Sequence, residues 1–157
     1  MTRYTDGPAD SPGFLLWRTT LRWQRAVSAS LAPLGLTHVQ FVLLACAWWL
    51  NNEGHAPNQL GIAAQAAVDV KMTSEVLRKL ESKGLIARGV DENDARARTV
   101  TITERGRALA MQSIAAVEQV DAEFFGDVSA AFVRGLHRLA GLGPNDGHRG
   151  PAAQPAP

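Results

Sequence analysis

Nine basic side chains fall between Lys71 and Arg107 (Lys71, Arg78, Lys79, Lys83, Arg88, Arg96, Arg98, Arg105 and Arg107), against six acidic ones. Between Leu36 and Val70 the only charged residues are Glu53 and Asp69. A local basic excess in a chain of formal net charge +1 suits a polyanion, though charge alone is a weak pointer. The residue types that do covalent or metal chemistry are not arranged for it. There is no G-x-x-x-x-G-K-[ST] loop and no G-x-G-x-x-G after a strand. His38, His55, His137 and His148 are scattered, with no second His or Cys at ligand spacing. Cys46 sits between Ala45 and Ala47 in an apolar run with no basic neighbour, which predicts a buried, inert thiol rather than a redox sensor. The sequence points away from an enzyme and calls for neither metal nor cofactor.

The elements that must position the basic residues can be read in order. From Phe14 to Leu31 two apolar stripes run at helical spacing: Phe14, Trp17, Leu21 and Leu16, Trp23, Val27, Leu31. A helix apolar on two sides needs two partners, its own core and a second subunit. Pro33 and Gly35 end it. Thr37 and Gln40 then form a capping box, with Leu36 and Phe41 as a hydrophobic staple, opening a helix that is apolar nearly all round through Leu50. A short helix is expected from about Pro57 to Ala66, with Pro57 in its first turn.

Asp69 reads as the N-cap of the next helix, Val70 to Ser82. Val76, Leu77 and Leu80 give it an inward face, while Lys71, Ser74, Glu75, Arg78 and Lys79 look outward. Gly84 fits the end of a Schellman motif, with Leu85 packing back on Leu80. Two short helices joined tightly, the second polar outside, follow helix-turn-helix grammar. Leu85 to Val90 and Arg98 to Thr103 read as strands joined by a turn through Asp91, Glu92, Asn93 and Asp94, which hangs a β-hairpin wing behind the second helix. A long helix follows to about Phe125, Gly126 interrupts, and a last helix carries Val128, Phe132, Leu136 and Leu139.

The whole chain is 157 residues, 46% hydrophobic, with a mean hydropathy of −0.08, which fits one domain with appendages and excludes global disorder. One cysteine excludes an internal disulfide. The longest apolar run, Phe41 to Leu50, is ten residues, too short to span a bilayer. Residues 1–12 lack the apolar core of a signal peptide, so the cytoplasm is the expected compartment, with no membrane partner. Residues 1–12 and 141–157 are expected to be disordered.

With this order of parts in view, the chain resembles the MarR family of bacterial winged helix-turn-helix transcription regulators. The family pattern runs from a recognition helix through L-E-x-K-G-L-I-x-R to D-x-R in the wing and then L-T-x-x-G. Here Leu80-Glu81-Ser82-Lys83-Gly84-Leu85-Ile86-Ala87-Arg88 matches throughout, followed by Asp94-Ala95-Arg96 and Thr103-Glu104-Arg105-Gly106. The resemblance covers roughly residues 14–140. It implies a mainly α fold with a small β-wing: a winged helix-turn-helix over 37–103 inside a domain of 13–140, with dimerisation helices at 13–36 and 104–140. It also implies a homodimer on a pseudo-palindromic double-stranded DNA operator, one recognition helix per half-site.

On that reading Lys71, Met72, Ser74, Glu75, Arg78 and Lys79 face DNA. Lys71 can donate to guanine O6 or N7, Glu75 can accept from cytosine N4, and the later basic residues hold phosphates. Arg96 would enter the minor groove, Asp94 would orient its guanidinium through a bidentate pair, and Arg98, Asn58 and Gln59 would contact phosphates. The competing readings are a solvated helix face and an Asp–Arg pair that only stabilises the turn. The resemblance further implies a small aromatic or lipophilic effector, and Trp17, Trp23, His38, Trp48 and Trp49 would line its pocket. Core or dimer packing is the competing reading of the four tryptophans and the one their residue type favours. A winged-helix protein-interaction module without DNA binding is the alternative function, and Glu75 is the residue that raises it.

Overall fold

The computed structural model describes residues 7–54, 56–126 and 128–142. A 3-10 turn, Gly7–Asp10, leads into α1 (Pro12–Leu31), followed by α2 (His38–Asn52), α3 (Gln59–Ala66), α4 (Val70–Ser82), β1 (Ile86–Val90), β2 (Arg98–Ile102), α5 (Glu104–Phe125) and α6 (Ala130–Leu139). The strands pair antiparallel with Arg88 opposite Val100. The mainly α fold with a β-wing is as the sequence implies. Among the described residues no single helix is long and apolar enough to cross a membrane.

The apolar helix α2 lies at the centre. Its Leu43, Leu44 and Ala47 are fully buried against Val27 and Leu31 of α1, Ile62 of α3, Leu77 and Leu80 of α4, the wing base at Leu85, Ile86 and Val100, and Ala110 and Val117 of α5. Each fully buried Leu or Ile contributes about 1.5–3 kcal/mol. The Thr37–Gln40 capping box that opens α2 is formed reciprocally. The helix therefore starts where its sequence says, with its orphan N–H groups satisfied.

Two boundaries differ from expectation. Residues 1–6 and 143–157 of the segments expected to be disordered lie outside the described residues. Ser11, however, caps α1 by accepting from the Phe14 N–H, and Pro12 begins the helix. Ordered structure thus enters the expected 1–12 tail. The short helix α3 begins two residues later than Pro57. Asn58 is its N-cap, accepting from Gly61 N at 2.8 Å, while the Pro57 carbonyl accepts from Val100 N at 2.8 Å. Residues 57 and 58 are drawn into the wing as a short third edge, with Asn58 bridged to Thr99.

Both ends of the fold carry apolar surface that the described residues leave exposed. Leu15, Leu16 and Trp17 of α1 are half-exposed or more, and α6 has no buried residue although it carries Phe132, Val133, Leu136 and Leu139. Soluble folds seldom leave such patches uncovered.

Candidate nucleic-acid interface

Helix α4 is built to turn one face outward. Asp69 caps it by accepting from Met72 N at 2.9 Å, and Thr73, Val76, Leu77 and Leu80 are buried. Met72 is 46% exposed, and Lys71, Glu75, Arg78 and Lys79 are exposed beside the half-buried Ser74. The six residues singled out from sequence thus share one face. None of the four charged ones forms an ion pair or side-chain hydrogen bond among the described residues.

The end of α4 is locked by the residues of the matched motif. Gly84, at φ +70°, carries the chain into the Schellman turn, and Leu85 N donates to Leu80 O at 3.0 Å. Lys83 Nζ donates to Gly35 O at 2.7 Å and Gln40 Oε1 at 2.9 Å, tying α4 to the start of α2. Arg88 pairs with Glu81 at 2.6 Å and so joins β1 to the last turn of α4. Hydrogen bonding from Arg88, helped by its charge, holds the Glu81 carboxyl below its usual range against the opposing effect of desolvation. Thr103 completes the joint: its N–H donates to Leu85 O at 3.1 Å, and its Oγ1 donates to Gly84 O at 2.8 Å and accepts from Gly106 N at 3.0 Å. Gly106 is required there, since a Cβ would collide with the Leu85 carbonyl oxygen.

This locking corrects the charge count. Lys83 and Arg88 serve internal ties, and Arg107 donates to Asn52 Oδ1 at 2.6 Å, so three of the nine basic residues are committed inside the protein. Lys71, Arg78, Lys79, Arg96, Arg98 and Arg105 remain on the surface.

The wing also departs from expectation at Asp94. Its carboxylate makes no pair with the Arg96 guanidinium. Oδ1 accepts instead from the Arg96 backbone N–H at 2.9 Å, and the Asp94 carbonyl accepts from Ala97 N at 2.9 Å. An Asx-turn is the shorter route, because a carboxylate two residues back reaches the amide more readily than the end of a long side chain. Asp94 therefore places Arg96 through the backbone and leaves its guanidinium exposed. Asn58, Gln59 and Leu60 line one side of a groove of about 310 Å³, and Asp94, Arg96, Ala97 and Arg98 line the other. Residues from two distant segments thus meet at the wing, although the Asn58 carboxamide oxygen is taken by its capping role.

Within one chain the expected effector residues fall into three groups. Trp23 and His38 meet edge to face at 5.2 Å, and Trp23 Nε1 donates to Asp121 Oδ1 at 2.7 Å. Asp121, on α5, was not anticipated; an acidic residue at helical spacing gives no local sign of an indole partner 98 positions away. Desolvation lowers the His38 pKa, with Asp121 opposing it. Trp48 and Trp49 form a separate pair at 6.3 Å, about 15 Å further along α2. Trp17 is 63% exposed on the outer part of α1. The tryptophans serve three environments, so no single contact set holds them together. Burial pushes the Cys46 thiol up to about 11, leaving almost no thiolate at neutral pH.

Comparison with known proteins agrees with this geometry. A family model described as an ArnR1-like winged-helix domain matches residues 34–121. The chain is 40% identical over 136 residues to the HTH-type transcriptional regulator YdcH of Bacillus subtilis, covering 87% of this chain and 90% of that one. It is 35% identical over 131 residues to the HTH-type transcriptional repressor Rv2887 of Mycobacterium tuberculosis, covering 83% and 91%. The structure of Rv2887 in complex with DNA, described as a MarR family protein, superposes with a TM-score of 0.60 at 34% identity over 84% of this chain and 97% of that one. BpsR of Bordetella bronchiseptica, whose DNA binding is regulated by 6-hydroxynicotinic acid, superposes at 0.76 with 28% identity over 88% and 98%. Recognition helix, wing and the joint between them, taken with these relatives, place the chain in the MarR family of winged helix-turn-helix transcriptional regulators.

Proposed function

We propose that the chain is a homodimeric repressor that acts in the cytoplasm on a pseudo-palindromic operator. One α4 enters the major groove of each half-site, Lys71, Ser74 and Glu75 read base edges, and Arg78 and Lys79 hold phosphates. Arg96 enters the minor groove, where a narrow groove concentrates negative potential, and Arg98 and Gln59 approach the backbone beside it. The supporting observation is that, among the described residues, the charged side chains on the outer face of α4 and the Arg96 guanidinium make no ion pair or side-chain hydrogen bond, while Lys83, Arg88 and Arg107 are tied to other elements. A second copy covers the apolar surfaces of α1 and α6.

A small aromatic or lipophilic effector weakens DNA binding by entering beside Trp23 and His38, where α1, α2 and α5 meet and a polar group at Asp121 is within reach. The regulation of BpsR by a small aromatic acid supports this class. The test is a gel-shift titration on the DNA upstream of the protein's own gene at two salt concentrations, repeated with a panel of phenolic acids. Specific binding that falls steeply with salt, and release by one compound, is expected. No binding at low salt to that DNA or to a random operator library would replace this reading with a protein-interaction module.

A further inference from the structure

The wing strand β2 carries a row of outward backbone groups on the edge that β1 does not cover. Val100 N is satisfied by Pro57 O. The next two groups are satisfied by a side chain from the end of α2: Asn51 Nδ2 donates to Val100 O at 3.2 Å, and Asn51 Oδ1 accepts from Ile102 N at 3.3 Å. A carboxamide that bonds the carbonyl of one residue and the amide two residues on does what a peptide group of a neighbouring strand would do. The same Nδ2 donates to Ala47 O at 2.8 Å, which fixes the side chain on its own helix and leaves one way round for the amide.

We infer that Asn51 is a positioning residue for operator binding: it clamps the wing to the central helix at a set tilt and thereby places Arg96. This rests on the reading of Arg96 as a minor-groove contact. Asn51 itself lies away from the exposed face of the wing. Arg96 stands four residues beyond Val100, two of them in β2 and two in the turn, so it lies at most roughly 13 Å out and a tilt of about 5° at the clamp moves it by up to roughly 1 Å. Contact geometry in a binding site tolerates about half that. The ordinary alternative is that Asn51 only saturates a buried strand edge.

Dimethyl sulfate footprinting separates the two, because it methylates guanine N7 in the major groove and adenine N3 in the minor groove. With Asn51→Ala, adenine protection under the wing is expected to be lost while guanine protection under α4 persists. Operator affinity should fall about tenfold, the size of one lost charge-assisted contact. Adding Arg96→Ala to Asn51→Ala should cost nothing further. Asn51→Asp, which keeps the acceptor for Ile102 N and nearly the volume but sets an oxygen against the Ala47 and Val100 carbonyls, is the second variant and should give the same split. Equal loss in both grooves, unchanged adenine protection in either folded variant, or loss of the circular dichroism of both variants would overturn the proposal. No footprint from the unaltered protein would overturn the operator reading beneath it, whereas a normal wild-type footprint that Asn51→Ala leaves intact overturns this inference alone.

Discussion

Replacing Gly106 with Ala adds one methyl group where the first turn of α5 crosses the start of β1. A Cβ there would overlap the Leu85 carbonyl oxygen and stand 2.8 Å from its carbon and 3.0 Å from Ile102 Cγ1. Two of these three atoms belong to the backbone and cannot swing aside. The overpacking cost therefore belongs near the upper end of the usual range, about 3 kcal/mol. Pushing Leu85 away also lengthens the bond from Thr103 N to its carbonyl, worth about 1 kcal/mol. Alanine returns about 1 kcal/mol through its better helix propensity. The net loss is about 3 kcal/mol, and in a domain of this size that lowers Tm by roughly 6–12 °C. The assay is thermal unfolding by circular dichroism at fixed protein concentration, since association raises Tm. Gly61→Ala is the control, because its Cβ would meet only Asn58 Oδ1 at 3.5 Å and Pro57 Cβ at 4.0 Å. Equal Tm values for the two variants would refute the account of the joint.

Three further outcomes are expected. Arg96→Ala should weaken operator binding strongly while sedimentation shows the dimer intact, and Asp94→Ala should weaken it less, through the lost Asx-turn; normal binding by Arg96→Ala would remove the wing from the mechanism. The Glu81 carboxyl is held below its ordinary value by Arg88, so its contribution is full above pH 4.5 and disappears as pH falls through the lowered folded-state value. Acid titration of Glu81→Gln should therefore show a shallower fall in stability below pH 4.5 than the unaltered protein. The Cys46 thiolate is about a hundredfold scarcer at pH 7 than in the unfolded chain, so a thiol reagent should label native protein slowly and urea-unfolded protein at once.

How legible each part was depended on the range of the interaction that sets it. The capping box at Thr37 and Gln40, the cap at Asp69 and the Schellman glycine at Gly84 are written within a few residues, and each stands where the sequence puts it. The pair Ser11-Pro12 carried an equally local helix-start signal that the expectation of a disordered tail overlooked. The start of α3 could not be read locally, because Pro57 and Asn58 are held by Val100 and Thr99, more than 40 residues on. The face of α4 followed from periodicity. Which basic residues stay free did not, because the acceptors for Lys83 and Arg107 are Gly35, Gln40 and Asn52, on other elements. Asn51 and Asp121 were missed for the same reason, as short polar side chains whose partners lie 49 and 98 positions away.

The two faces of α4 have a consequence for how this protein changes over evolutionary time. Its packing rests on Thr73, Val76, Leu77 and Leu80, while Lys71, Glu75, Arg78 and Lys79 make no ion pair or side-chain hydrogen bond among the described residues. Substitutions at such surface positions usually alter stability by no more than about 0.5 kcal/mol. The residues that would spell out an operator can therefore be rewritten one at a time with little effect on the fold. A duplicated gene can drift to a new target sequence through intermediates that all remain folded.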